Sequence, residues 1–127
     1  MRLFCFLLLI LSLAPASEPQ GASHVSDSGN GFLEACKSVE RDFDQNHAFD
    51  SGICMGWIQG FVEGLTVSDE FRQTPAEKRM ICPSKEVTLI QFFRVVKKHI
   101  DEQPERAHLA TRYLASEALV KAFPCGK

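Results

Sequence analysis

Four widely spaced cysteines constrain the fold of this chain more than any other feature of its sequence. They are Cys36, Cys54, Cys82 and Cys125, separated by 17, 27 and 42 intervening residues. An even number of cysteines in a small exported domain indicates disulfide bonds, whereas structural zinc sites usually take their ligands from closely spaced pairs. The sequence therefore predicts two disulfides and no metal site.

The fifth cysteine, Cys5, lies in an N-terminal segment with the layout of a secretory signal peptide. Arg2 supplies a positive charge, residues 3–13 form an apolar run, and Ala14-Pro15-Ala16 is a small-residue cleavage site. The run of about 11 residues is shorter than the roughly 20 that a membrane-spanning helix needs. We therefore predict a signal peptide over residues 1–16, cleaved after Ala16, rather than a membrane anchor.

The remaining 111 residues are enough for one domain with its own core. Removal of Arg2 leaves 13 basic residues against 16 acidic ones, a net charge of about −3, and the two signs are interspersed. A nucleic-acid-binding domain usually shows a basic patch, so this class is disfavoured. Residues 17–28 are small and polar, which predicts a disordered lead-in before a folded domain over 29–127.

Apolar residues recur with helical spacing, and no β-pattern of comparable length is present, so we predict an all-α bundle of four to five helices. Asn30 is the expected N-cap of the first helix, and Thr74-Pro75-Ala76-Glu77 and Thr88-Leu89-Ile90-Gln91 have the pattern of capping boxes. The predicted helices cover about 31–39, 51–67, 75–81, 89–103 and 104–123.

The second predicted helix carries a glycine at every fourth position, at Gly52, Gly56, Gly60 and Gly64. Each glycine inside a helix costs about 1 kcal/mol relative to alanine, so the row costs roughly 3 kcal/mol. Close approach of another backbone would compensate, and we expect a helix of this chain or of a partner in the groove. A membrane dimer motif is disfavoured, because Gln59 and Glu63 interrupt a segment too short to span.

Helix geometry favours one of the three ways in which four cysteines can pair. The last two long helices share a short connection and should lie antiparallel, which brings Cys82 beside Cys125. Similar hairpin reasoning pairs Cys36 with Cys54, although the loop between them leaves the other connectivities open. Each bond should contribute roughly 3–4 kcal/mol, mostly by restricting the unfolded chain.

The sequence contains no recognisable catalytic motif. His47, His99 and His108 lie outside the metal and nucleophile patterns of known enzymes, although a nucleophile and base distant in sequence remain possible. With the cysteines assigned to disulfides, we predict a protein that is not an enzyme and needs no cofactor.

One charged connection around a phenylalanine is the expected site for a protein partner, against the alternative of ordinary solvated surface. An exposed aromatic residue surrounded by adaptable polar side chains is typical of such contacts. The residues of this predicted partner-binding surface are Asp69, Glu70, Phe71 and Arg72.

Several short motifs, taken in order, resemble one known family over about residues 29–125. They are Gly29-Asn30-x-x-Leu33-x-x-Cys36, Cys54-x-Gly56-Trp57-Ile58-x-Gly60, Ile81-Cys82-Pro83, Val87-Thr88-x-x-Gln91, Pro104-Glu105-Arg106 and Ala118-Leu119-x-x-Ala122-Phe123-Pro124-Cys125. Their order and spacing resemble the Rap/Tai-type immunity proteins of bacterial type VI secretion. The chain departs from that family before Val87, where Pro83 follows the cysteine directly and Glu86 replaces a glycine.

The resemblance implies a periplasmic, helical, disulfide-bonded and often dimeric protein. Such proteins bind a peptidoglycan-cleaving amidase effector and occlude its active-site cleft, which protects the cell from its own or a sibling's toxin. The alternative is a general periplasmic helical protein with a stress or chaperone-like role. Gene context distinguishes the two, since an immunity gene normally lies beside that of its effector.

Overall fold

The computed structural model describes residues 24–40 and 47–126; the predicted signal peptide and the first part of the predicted lead-in lie outside them. The described residues contain helices and no strand, which confirms the predicted all-α class. The elements in chain order are α1 His24–Asp27, α2 Gly29–Ala35, α3 Ala48–Phe71, a 3-10 turn Ala76–Lys78, α4 Leu89–Asp101, a second 3-10 turn Pro104–Arg106 and α5 Thr111–Ala122.

The core forms where α2 and α4 pack against α3 and where α5 packs against α4 and α2. The apolar stripe predicted for α4 faces this core, and the Thr88 amide at its start donates to Gln91 Oε1 at 2.7 Å, as a capping box requires. Trp57 is half-buried at the rim, where its ring stacks on Phe61 at 5.1 Å. The largest fully buried side chains are Phe32, Ile58, Phe93, Val96, Ile100, Leu114 and Leu119.

Both disulfides pair as predicted. Cys36 bonds to Cys54, which ties the end of α2 to the second turn of α3 across a Cα–Cα distance of 5.4 Å. Cys82 bonds to Cys125 across 5.0 Å and ties the chain before α4 to the chain after α5. These distances are typical of protein disulfides.

Residues 24–28 belong to the fold, so the predicted disordered lead-in over 17–28 is wrong for this part. Val25, the one large apolar residue of that stretch, is 2% exposed in the core. The buried hydroxyl of Thr111 donates to the Val25 carbonyl at 2.8 Å. The stretch is polar in composition, but the buried side chain of Val25 and the hydrogen bond to its carbonyl hold a single turn of helix against α5.

Helix α2 begins two residues before the predicted start, and Ser28 rather than Asn30 is its N-cap. The Ser28 hydroxyl oxygen accepts a hydrogen bond from the Gly31 amide at 3.1 Å. Both serine and asparagine suit the position, so local preference could not decide between them.

The predicted helix over 104–123 is interrupted after its first turn. The Ala107 and Leu109 carbonyls accept hydrogen bonds from the Asn30 and Gly29 amides, at 2.8 and 3.0 Å. Because these carbonyls bind the exposed donors at the start of α2, the chain bends there, and regular helix resumes only with α5. A tertiary contact therefore overrides a favourable local pattern.

Two boundaries near the end of α3 also differ from prediction. The helix continues to Phe71, one turn beyond the expected end at about Val67. The helix predicted over 75–81 is only the 3-10 turn Ala76–Lys78, after which residues 79–83 form neither helix nor strand. This irregular segment lies between α3 and the end of α5.

Candidate protein-binding site

The C-terminal end of α3 is closed by two backbone hydrogen bonds. The Gln73 amide donates to the Glu70 carbonyl at 3.0 Å, and the Thr74 amide donates to the Asp69 carbonyl at 2.9 Å. This is the pattern of a Schellman motif, whose left-handed position usually holds glycine. Gln73 occupies it here with a φ of 52°. The chain therefore reverses direction directly after Phe71 in a fixed geometry.

Three of the four residues predicted to bind a partner are displayed at this turn. Phe71 is 86% exposed, more than any other large apolar side chain among the described residues. Glu70 and Arg72 on either side of it are also exposed. We call Glu70, Phe71 and Arg72 the α3 turn surface, a bare aromatic ring between an acid and a base.

Asp69, the fourth predicted contact residue, lies inside the fold instead. Its side chain is 8% exposed, and Oδ2 accepts a hydrogen bond from the Met80 amide at 3.0 Å. The Asp69 carbonyl accepts from the Thr74 amide, so Asp69 joins the end of α3 to the 79–83 segment. Asp69 is therefore not part of the α3 turn surface, but its two hydrogen bonds hold that surface in position.

A cleft of about 300 Å³ opens beside this turn, between α3 and the 79–83 segment. Sequence reasoning missed it, because its two walls are separated along the chain by the whole 72–78 connection. The signals that were available are the extended Cys82-Pro83 pair and the predicted disulfide to Cys125. The lining residues are Thr66, Asp69, Arg79, Ile81, Cys82 and Pro83.

The predicted glycine groove faces outward along α3. Apart from the adjoining residues and backbone of α3 itself, no described atom lies within 4 Å of the position that an added Cβ would take at Gly52, Gly56, Gly60 or Gly64. Phe49, which is 68% exposed, lies near the other end of the same helix. No helix among residues 24–40 and 47–126 fills the groove.

The densest cluster of charged side chains lies between α4 and α5, away from the α3 turn surface. The Arg106 guanidinium donates to both carboxylate oxygens of Glu117, at 2.8 and 2.7 Å, and the His99 ring lies 3.4 Å from the same carboxylate. These contacts, with that of Arg106 the largest, hold the pKa of Glu117 below its usual value. The cluster ties the chain after α4 to α5.

Within the described part of the chain, no group of three or more histidine, cysteine, aspartate or glutamate residues could hold a metal ion. None of the helices described is long and apolar enough to cross a bilayer. His108 is exposed on the α4–α5 connection.

The family model of the Rap1a immunity proteins matches residues 28–125. This chain belongs to the Rap1a immunity protein family. The match covers α2 to α5, both disulfides and the α3 turn surface, whereas α1 precedes it. No curated protein and no solved structure matches the chain. Membership makes the chain an immunity protein directed against a secreted effector, so its expected partner is another protein.

Proposed function

We propose that this Rap1a immunity protein is exported to the periplasm and neutralises a peptidoglycan amidase effector by occluding the active-site cleft of that enzyme. The family match supports an effector as the partner. The two disulfides support an oxidising compartment, because such bonds are rare in proteins that stay in the reducing cytosol. Occlusion requires a complementary surface and no catalytic group in the inhibitor, which agrees with the predicted lack of enzyme activity.

The exposure of Phe71 is the observation that supports the α3 turn surface as the effector contact. The Phe71 ring is 86% exposed, so it buries little surface and contributes little to the stability of the free protein. The Schellman motif holds the backbone on either side of it, so binding orders little more than the side chains. Glu70 and Arg72 supply the polar rim that surrounds a buried anchor in protein interfaces.

We also propose that the protein is a homodimer in which the glycine groove of α3 packs against its copy. Helices that meet along rows of every fourth residue cross at about 50°. A crossing at Gly56 and Gly60 would bring the two backbones close and return part of the free energy that the glycines cost. Phe71 lies 11 residues beyond Gly60, about 16 Å along the axis, so the α3 turn surface stays accessible.

The decisive experiment is a pull-down with the mature chain from lysate of producer cells, followed by a wall-degradation assay. We expect the chain to retain a peptidoglycan hydrolase and to abolish its activity on purified sacculi when added in equimolar amount. A chain unfolded by reduction of both disulfides serves as the control for non-specific adsorption.

Two outcomes would contradict the proposal. Retention of no hydrolase, with unchanged degradation of sacculi, would exclude amidase immunity. Retention of many unrelated unfolded proteins would instead support the alternative of a chaperone-like role.

A further inference from the structure

The two disulfides differ sharply in their accessibility. Cys36 and Cys54 are 2% and 0% exposed, within the core between α2 and α3. Cys82 is exposed and Cys125 is half-buried. A thiolate must reach a sulfur atom to exchange with a disulfide, so an external dithiol reaches the bond between Cys82 and Cys125 first.

The accessible bond holds a segment that has little other support. Residues 79–83 form neither helix nor strand, and Cys82 joins them covalently to the chain after α5. Beside the disulfide, the Cys82 amide donates to the Phe123 carbonyl at 2.8 Å. Phe123 in turn packs edge-on against Phe92 of α4, with 5.1 Å between ring centroids. Without the sulfur bond, the 79–83 segment would depend on single hydrogen bonds and on Ile81.

The same segment contacts the residue that positions the α3 turn surface. Two residues before Cys82, the Met80 amide donates to the Asp69 carboxylate. The backbone carbonyl of Asp69 also accepts a hydrogen bond from the Thr74 amide, and this bond closes the Schellman motif directly after Phe71. These two hydrogen bonds therefore connect the segment that carries Cys82 to the turn that carries the exposed ring of Phe71.

We propose that the bond between Cys82 and Cys125 is a redox-sensitive clamp that keeps the α3 turn surface in its binding conformation. This inference rests on the proposed function and adds its regulation. Reduction loosens the 79–83 segment and the turn, and so weakens effector binding. The buried bond between Cys36 and Cys54 preserves the core, so the reduced protein stays folded and regains binding when it is oxidised again.

The chemistry requires a dithiol reductant. One reductant thiolate attacks Cys82 Sγ and forms a mixed disulfide, while the bond to Cys125 breaks and the Cys125 thiolate takes up a proton. The second thiolate of the same reductant molecule then attacks the reductant sulfur that is bonded to Cys82 Sγ, and Cys82 is released as a thiol. Two electrons and two protons pass to the protein, and the reductant becomes a cyclic disulfide.

Titration of the purified chain with dithiothreitol, followed by alkylation and mass spectrometry, tests the first half of the proposal. We expect the first two alkyl groups on Cys82 and Cys125, with Cys36 and Cys54 unlabelled. Labelling of all four cysteines in parallel would overturn the proposal.

Amide hydrogen exchange in the absence of any effector tests the second half. In the selectively reduced chain, and in the Cys82→Ser/Cys125→Ser variant, the Met80 and Thr74 amides should exchange about tenfold faster or more, while amides of α4 keep their protection. Unchanged exchange at Met80 and Thr74 would overturn the clamp.

The hydrolase retained in the pull-down gives a separate readout. Selective reduction should lower the retained amount about tenfold, and equal retention by both forms would overturn the proposal. If the oxidised chain retains no hydrolase, the proposed function fails, and the exchange rates alone decide whether the clamp exists.

Discussion

Gly29 lies so close to Leu114 that a Cβ atom on Gly29 would be 2.7 Å from Leu114 Cδ1. The same atom would also lie 3.0 Å from the Ala107 carbonyl oxygen and 3.0 Å from Ile100 Cγ2. We therefore expect Gly29→Ala to lower the free energy of unfolding by about 1–3 kcal/mol, the usual cost of overpacking a core. Urea denaturation followed by circular dichroism measures this change.

Gly60→Ala is the matched control for that variant. Apart from the adjoining backbone of α3, no described atom lies within 4 Å of the added methyl group. Alanine favours the helix by about 1 kcal/mol relative to glycine. Gly60→Ala should therefore leave the monomer at least as stable as the parent chain. A loss of stability similar to that of Gly29→Ala would contradict this assignment of space around the two glycines.

Phe71→Ala should weaken effector binding by about tenfold or more, which corresponds to roughly 1.4 kcal/mol. The free protein should keep its stability, since the ring is 86% exposed. Isothermal titration with the effector measures the affinity. Tyr113→Ala, which removes a 58% exposed aromatic ring on α5, is the control and should bind normally. The loss should grow in the double variant that also carries Arg72→Ala, and undiminished affinity in both would rule out the α3 turn surface.

Gly60→Leu should convert the proposed dimer to a monomer while the fold is kept. The Cβ of the new side chain has no neighbour within 4 Å outside the adjoining backbone of α3, and the leucine would hold the second helix away from the groove. Sedimentation velocity should show one species of half the mass. Lys121→Leu introduces the same side chain at an exposed position of α5 and should leave the dimer intact. A Gly60→Leu dimer of parental stability would show that the groove is not the interface.

Thr111→Val should destabilise the fold by about 1–3 kcal/mol. The substitution keeps the shape of the side chain but leaves the buried Val25 carbonyl without its hydrogen-bond donor. Thr66→Val is the control, because Thr66 donates to the Val62 carbonyl on an exposed face of α3. Equal denaturation midpoints for the two variants would mean that the hydrogen bond from Thr111 to Val25 contributes no more to stability than the exposed one of Thr66.

Acid should weaken the contact between α5 and the chain after α4. The pKa of Glu117 is lowered in the fold, mainly by its hydrogen bonds from Arg106, whereas the unfolded chain has the ordinary value of about 4.5. The ionised carboxylate therefore stabilises the fold above about pH 4.5, and this contribution disappears as the pH falls through the lowered pKa. Glu117→Gln should flatten that part of a plot of denaturation midpoint against pH. A variant with the parental acid dependence would contradict this.

Local sequence patterns predicted the elements whose signals are strong and self-contained. The capping box at Thr88 set the start of α4, and the spacing of its apolar residues gave the buried face. The short connection between the last two long helices favoured the bond between Cys82 and Cys125. The loop between Cys36 and Cys54 left other connectivities open, and the structure shows that these two cysteines are bonded.

Contacts between distant parts of the chain explain what the sequence could not predict. The bend at Ala107 exists because carbonyls there bind the start of α2, and α1 forms because Val25 reaches the core. The inward position of Asp69 depends on Met80, 11 residues away across an irregular connection. The Schellman turn was hidden because glutamine occupies the position where glycine would have marked it. The glycine groove stays a prediction about a second molecule.

The hydrogen bond between Thr111 and Val25 joins residues 86 positions apart. In the proposed export, the amino end of the chain emerges first, and Thr111 leaves the translocation channel among the last parts. The first helical turn therefore lacks this hydrogen bond until almost the whole polypeptide has crossed. The domain is therefore complete only when its last helix has left the channel. A chain halted before α5 would lack the helix against which α1 packs, and Val25 would be more exposed than in the folded protein.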